Sequence, residues 1–261
     1  GGPVNRTLQE SAGLDQTDVQ ISDTGTFTVE DLDTSNVVNA NSSFTGSAGT
    51  NTDPALDQVI FDDFFHVSPD PVIDAATNSA TLNWNFDAGL TTFEFLADGE
   101  TLTLNYDVTV ADLFGGSDQT TVAINITGTN DAPTIQGGPV SKDIPESADA
   151  DQTGVQLSDS GTFDVVDLDT SNIVNANSSF TGTAGNANPL DPALNGVDFD
   201  SFFHVSPDPV IDANTNTAIL DWNFDAGINT FEFLADGETL TLNYDVTVAD
   251  LFGGSDQTTV A

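Results

Sequence analysis

Leu102-Thr103-Leu104-Asn105-Tyr106-Asp107-Val108-Thr109-Val110 puts an apolar side chain at every second position and a polar one between. A strand turns successive side chains to opposite faces, so a strict period of two describes a strand with one buried and one wet face. The same alternation runs through Ala80, Leu82, Trp84 and Phe86, and through Val122, Ile124 and Ile126. Gly, Asn, Asp and Pro cluster between these runs, and no window of about 10 to 12 residues carries uninterrupted i, i+3, i+4, i+7 apolar spacing. The chain therefore reads as all-β and antiparallel.

Outward from that strand, the sequence repeats. Gly1-Gly2-Pro3-Val4 returns as Gly137-Gly138-Pro139-Val140, an offset of 136 that becomes 138 after a two-residue insertion near Asn186. Residues 1–49 match their counterparts at 35 of 49 positions and residues 53–123 at 61 of 71, or 96 of 120 together. Identity of 80% over those positions marks a recent duplication. The expected architecture is two tandem immunoglobulin-like antiparallel β-sandwich domains, residues 1–136 and 137–261, with a linker at about 127–138. The second copy stops at Ala261, where the first runs on through Ile124-Asn125-Ile126-Thr127-Gly128-Thr129-Asn130-Asp131-Ala132-Pro133, so its last strand is expected to be truncated. Each copy exceeds a minimal seven-stranded domain, and the extra length is assigned to residues 39–79, rich in Asn, Ser, Asp and Pro.

The 261 residues hold 42 Asp and Glu against Arg6 and Lys142, a net charge of −40. Nucleic acid and anionic membrane surfaces need Lys and Arg, so neither is expected as a partner. A hydrophobic fraction of 38% with 18 Phe argues for a packed core rather than an acidic disordered tail. There is no Cys and no apolar run of membrane-spanning length. Gly1-Gly2-Pro3-Val4 resembles no export signal, which marks an excised fragment whose own signal lies elsewhere.

Some acids, such as Asp87, Glu94 and Asp107, fall at outward strand positions and are expected to be solvated, as in a salt-adapted surface. Others gather in loops and recur in phase: Asp31-Leu32-Asp33-Thr34-Ser35-Asn36 as Asp167-Leu168-Asp169-Thr170-Ser171-Asn172, Asp98-Gly99-Glu100 as Asp236-Gly237-Glu238, and Asp112 as Asp250 ahead of Gly-Gly. Hard oxygen donors at alternate loop positions suit Ca²⁺, with its flexible shell of about six to eight oxygens, better than Mg²⁺, which demands an octahedron. Zinc and copper are poorly served by no Cys and one His per repeat. The EF-hand pattern fails from Asp31, with Asn36 where Gly belongs and Ser42 where a bidentate Glu belongs. Asp53, Asp57, Asp62, Asp63, Asp70 and Asp74 form a further candidate set within a domain.

Catalysis is not expected. His66 and His204 lie in Phe-Phe-His-Val-Ser-Pro-Asp-Pro with no nucleophile motif, and Asp98 with Glu100 is better explained by cation ligation than as a glycosidase pair. A carbohydrate- or protein-binding module is the alternative reading, with Trp84 and Trp222 as stacking platforms. Their alternating apolar strands place them in the core instead. The Asn-x-Ser/Thr patterns at Asn5, Asn41, Asn125 and Asn177 arise by chance in so Asn- and Thr-rich a chain.

Phe95-Leu96-Ala97-Asp98-Gly99-Glu100-Thr101-Leu102-Thr103-Leu104-Asn105-Tyr106-Asp107-Val108-Thr109-Val110, then Asp112, Gly115-Gly116 and Gly128-Thr129-Asn130-Asp131-Ala132-Pro133, resembles the VCBS-type repeat of large bacterial surface adhesins secreted in the RTX manner. The resemblance covers roughly residues 80–135 and again 218–261, and the same segment is more distantly similar to cadherin repeats. It implies a secreted, cell-surface, calcium-rigidified extender, monomeric, whose partners are neighbouring repeats of the same polypeptide and which holds a ligand-binding tip for adhesion or biofilm formation. Carried over residue by residue, it implies interdomain calcium ligands at Glu10, Asp98, Glu100, Asn130, Asp131, Asp167, Asp169 and Asp250. Asp31, Asp33 and Asp112, and Glu146, Asp236 and Glu238, are implied half-sites that bind weakly in this chain. The leading acid of the cadherin linker is Gly128 here, and the second Asn after Asn-Asp is missing.

Overall fold

In the computed structural model, which describes residues 2–12, 20–50, 56, 59–146, 156–187, 192–213, 215–228 and 230–261, the alternating run lies inside one long strand, Thr101–Asp112. The chain divides into two compact units, Gly1–Asn130 and Asp131–Ala261. Strands β1 Val4–Gln9, β2 Ser22–Glu30, β3 Val38–Gly49, β4 Phe65–Ser68, β5 Ser79–Asp87, β6 Thr101–Asp112 and β7 Ser117–Thr127 make up the first unit. They form two sheets, ordered β1-β7-β6-β3 and β2-β5-β4. Every pair is antiparallel except β1 with β7, which run parallel from Val4↔Val122 to Gln9↔Thr127. The second unit contains β8 Thr134–Gln136, β9 Ser158–Val166, β10 Asn175–Gly185, β11 Phe203–Ser206, β12 Thr217–Asp225, β13 Leu240–Ala249 and β14 Ser255–Val260. Its sheets are ordered β11-β12-β9-β8 and β10-β13-β14. The protein is thus all-β, each unit an immunoglobulin-like sandwich, and among the described residues no helix is long and apolar enough to cross a membrane.

The period of two decides what is buried. Leu102, Leu104, Tyr106 and Val108 of β6 turn inward with Val122, Ile124 and Ile126 of β7, and meet Leu82, Trp84 and Phe86 of β5. An aromatic stack closes the centre: the Phe65 ring lies 4.7 Å from Tyr106 and 5.6 Å from Trp84. Each large side chain so buried contributes about 1.5–3 kcal/mol. The buried phenol of Tyr106 donates to the Phe61 carbonyl at 3.0 Å, which satisfies its one polar atom. The second unit copies this core, with Phe203 at 4.8 Å from Tyr244 and 5.8 Å from Trp222. Both tryptophans are therefore core residues, 2% and 3% exposed, rather than sugar platforms.

Each unit holds one basic side chain, and both are spent on the sandwich. Arg6 pairs with Asp23 at 3.0 Å and lies over the Trp84 ring, and Lys142 pairs with Asp159 at 3.6 Å and lies over Trp222. Residues 39–79, to which the extra length was assigned, hold most of β3 and all of β4. β3 is an edge strand of mostly small polar residues, in which Val38, Ala40 and the half-buried Phe44 face the core.

Candidate metal centre

In the second unit, Asp131 leads into β8, the Asp167–Asn172 turn follows β9, and Asp250 ends β13. Asp167, Asp169, Asn172 and Asp131 are each no more than 1% exposed and Asp250 is 8% exposed. The Asp-x-Asp spacing produces a side-chain-capped turn: Asp167 Oδ1 accepts the Asp169 amide at 3.0 Å, and the Asn172 amide donates to the Asp169 carbonyl at 3.1 Å. Asp169 Oδ2 accepts from the Asp131 amide at 2.8 Å and from Asn172 Nδ2 at 3.0 Å. Asp250 Oδ1 gathers the amides of Phe252, Gly253 and Gly254 at 2.7, 2.7 and 2.9 Å.

Asp167 Oδ2 is buried with no hydrogen-bond partner. Burial pushes the Asp167 carboxyl up to about 6, with the charges of Asp250 and Asp131 adding to the rise against the Asp169 amide and the nearby Asn172 carboxamide. A buried carboxylate oxygen left unpaired is costly, and the two basic side chains are engaged elsewhere. The side-chain donors in this set are oxygens of carboxylates and a carboxamide, which fits a hard divalent cation.

In the first unit, Glu10 follows β1 and is 2% exposed. Its Oε2 accepts the Thr129 amide at 2.8 Å and the Thr129 hydroxyl at 2.9 Å. An oxygen of Glu94 lies within 4.8 Å of one of Glu10. Glu94 is 7% exposed, so its expected place among solvated strand acids is wrong. The Leu96 amide donates to the Phe93 carbonyl, which makes 93–96 a turn and breaks the alternation on which that expectation rested. Asp98 is exposed and Glu100 half-buried in the adjoining turn, where Gly99 takes φ +77° and Glu100 Oε2 accepts the Ala97 amide at 3.1 Å. Asn130 is half-buried at the end of the unit.

The same motifs elsewhere are open. Asp31 and Asp112 are half-exposed and Asp33 exposed, although Asp31 Oδ1 accepts the Asp33 amide at 2.9 Å as its counterpart does. The amides of Gly116 and Phe114 hold the Asp112 carboxyl below its usual range. Glu146 is half-buried, while Asp236 and Glu238 are exposed. The candidate set in 39–79 works for the backbone: Asp62 accepts the Phe44 amide, Asp70 that of Ala40 and Asp74 that of Ala76. Asp53 and Asp57 lie outside the described residues. Sequence reasoning also passed over Asn172 as a site residue; its place five residues after Asp167, matching Asn36 after Asp31, was the available signal.

No protein-family model matches the chain, and no curated protein matches it in sequence. Among solved structures it is similar to Drosophila N-cadherin EC1-4, at 13% identity over 99% of this chain and 46% of that one with a TM-score of 0.36. Human CDH23 EC21-23 is matched at 13% identity over 98% of this chain and 70% of that one, TM-score 0.37. The Yersinia pseudotuberculosis adhesin InvE is matched at 14% identity over 99% and 56%, TM-score 0.29. The chain spans about half the length of the N-cadherin and InvE structures.

Proposed function

We propose that this chain is a calcium-rigidified extender from a long, secreted bacterial surface adhesin of the VCBS and RTX type, a spacer that holds a binding tip away from the cell. The observation that carries the reading is the buried, unpartnered Oδ2 of Asp167 within the oxygen set of Asp131, Asp169, Asn172 and Asp250. In this reading calcium ligands come from both copies: Asp131, Asp167, Asp169 and Asp250 from the second, and Glu10, Asp98, Glu100 and Asn130 from the first, with Glu94 added beside Glu10. Glu10 holds Thr129, and Asp131 follows two residues later, within about 7 Å of backbone. Carboxylates gathered on one cation site repel by about 4 kcal/mol per pair at 4 Å for an effective dielectric near 20 when the cation is removed. A divalent cation turns that repulsion into ligation, and its binding free energy into order at the junction.

Near-identical copies suit a spacer, since spacing needs length whereas recognition needs one specialised site. Small-angle X-ray scattering in chelator, in millimolar Ca²⁺ and in Mg²⁺ of equal ionic strength tests the reading. Calcium alone is expected to lengthen the maximum dimension and narrow the distribution of interdomain distances. Identical curves in all three would assign the carboxylates to solvation and sink the proposal.

A further inference from the structure

Over residues 53–123 the two copies agree at 61 of 71 positions, and one departure changes the chemistry of the backbone: Asp57-Gln58 in the first copy is Asn195-Gly196 in the second. No other Asn in the sequence precedes a Gly. Asn195 and Gly196 are both exposed, in the turn between the 3-10 segments Pro192–Leu194 and Phe199–Phe202. Leu194 and Phe199 pack against the core and pin the turn at its two ends. The Asn195 amide donates to the Pro192 carbonyl at 3.1 Å and the Val197 amide to the Leu194 carbonyl at 3.3 Å. Gly196, between them, takes φ +83°, and apart from its chain neighbours no heavy atom stands within 4 Å of the place a Cβ would occupy. Among the described residues its N–H makes no hydrogen bond, and neither does the Asn195 carboxamide. An electrophilic carboxamide carbon thus precedes a bare, unhindered backbone nitrogen on the wet side of the fold.

We propose that Asn195-Gly196 is a site of spontaneous deamidation, at which the second copy acquires by its own backbone chemistry the acid that the first carries as Asp57. The Gly196 nitrogen, having given its proton to hydroxide, attacks Asn195 Cγ. The N–Cγ bond forms, the Cγ–Nδ2 bond breaks, and Nδ2 leaves as ammonia with a proton from water, which regenerates the hydroxide. Water then opens the resulting five-membered succinimide. Cleavage of its N–Cγ bond restores the main chain with Asp at position 195, and cleavage of its other imide bond leaves isoaspartate, with the main chain routed through the side chain. The net change is carboxamide plus water to carboxylate plus ammonia, so nothing is oxidised and no cofactor takes part. A Cβ on the attacking residue would crowd this step, and Gly has none. Asn41-Ser42 and Asn177-Ser178 lie in β3 and β10, where the ladders with β6 and β13 hold the backbone extended, and they are not expected to react. Each event adds one negative charge to a net charge of −40 and does not reverse, so the turn records the age of the molecule in solution.

Incubation of the whole 261-residue protein at mildly alkaline pH, folded and in parallel in urea, with peptide mass spectrometry at intervals, tests this. Asp and isoaspartate are expected together at position 195, at a rate in the folded protein within about tenfold of that in urea, since the exposed turn adds little to the barrier. Asn41 and Asn177 stay intact in the folded protein. Gly196→Ala is expected to slow the reaction about tenfold or more by crowding the attacking nitrogen. Asn195→Gln, whose carboxamide would need a six-membered ring, is expected to abolish the acidic variant that accumulates on anion exchange. An Asn195 that survives in the folded chain while it converts in urea would overturn the proposal. So would Asp without isoaspartate, which marks direct hydrolysis, or an undiminished rate in Gly196→Ala.

Discussion

Asp167→Asn separates the electrostatics of the second unit from its packing. The Asp167 carboxyl titrates at about 6 in the fold against an ordinary 3.8, chiefly because burial penalises the anion. A raised folded value means that the group's contribution to stability is fully present below about pH 4 and is lost as the pH rises through about 6. A rise of about 2 units corresponds to roughly 3 kcal/mol between the two ends of that window. Asn keeps the acceptor for the Asp169 amide and carries no charge. In chelator at pH 7.5, the variant's second unit is therefore expected to be more stable than wild type by up to roughly 3 kcal/mol, with the gap closing near pH 4. In calcium the sign reverses, because the site loses an anionic ligand. Urea unfolding at pH 4.5 and 7.5, followed through Trp222 in a Trp84→Phe background, reads both effects. Parallel pH dependence of wild type and variant in chelator, or equal calcium stabilisation of both, would refute the reasoning.

Two further substitutions probe the sandwich. In Gly25→Ala a Cβ would stand 2.5 Å from the Trp84 ring, so the ring must shift in a filled core; a loss of about 1–3 kcal/mol from the first unit is expected in chemical denaturation. Arg6→Ala removes the pair with Asp23, in which the side chains are 45% and 28% exposed, and the cation over Trp84, and is expected to cost on the order of 1 kcal/mol, with the difference shrinking in high salt.

The strands with strong alternation were legible: Leu102 to Val110, Ala80 to Phe86 and Val122 to Ile126 each report a face through side chains large enough to mark it. β3 was not, since Asn39-Ala40-Asn41-Ser42-Ser43 pairs with β6 through its backbone and carries little apolar contrast. The parallel run of β1 beside β7 was hidden for a similar reason: parallel and antiparallel strands share one periodicity, and only the connection distinguishes them. At the site, the motifs Asp167-x-Asp169 and Asp131 could be read because polar residues recurring in phase need a cause. Glu94 could not, because Phe93-Glu94-Phe95 mimics a strand while its backbone makes a turn that buries the carboxylate.

Recurrence of a motif does not make its copies equivalent. Asp31-Leu32-Asp33-Thr34-Ser35-Asn36 and Asp167-Leu168-Asp169-Thr170-Ser171-Asn172 are identical, and both form the same amide-capped turn. Yet Asn36 donates to Asp31 Oδ2, whereas Asn172 donates to Asp169 Oδ2 and leaves Asp167 Oδ2 without a hydrogen bond. Within the second unit the added partner is the Asp131–Gln136 segment: the Asp131 amide binds Asp169, and β8 pairs with the end of β9 next to Asp167. The Asn-Asp-Ala-Pro stretch thus adds to the acidic turn another carboxylate and the amide that binds Asp169. In the second unit the turn is part of a buried oxygen set of Asp131, Asp167, Asp169, Asn172 and Asp250. It follows that Asp131→Asn, which keeps the amide bond to Asp169, should weaken calcium binding in calorimetric titration through lost charge alone, whereas Asp131→Pro, which also deletes that N–H, should weaken it further.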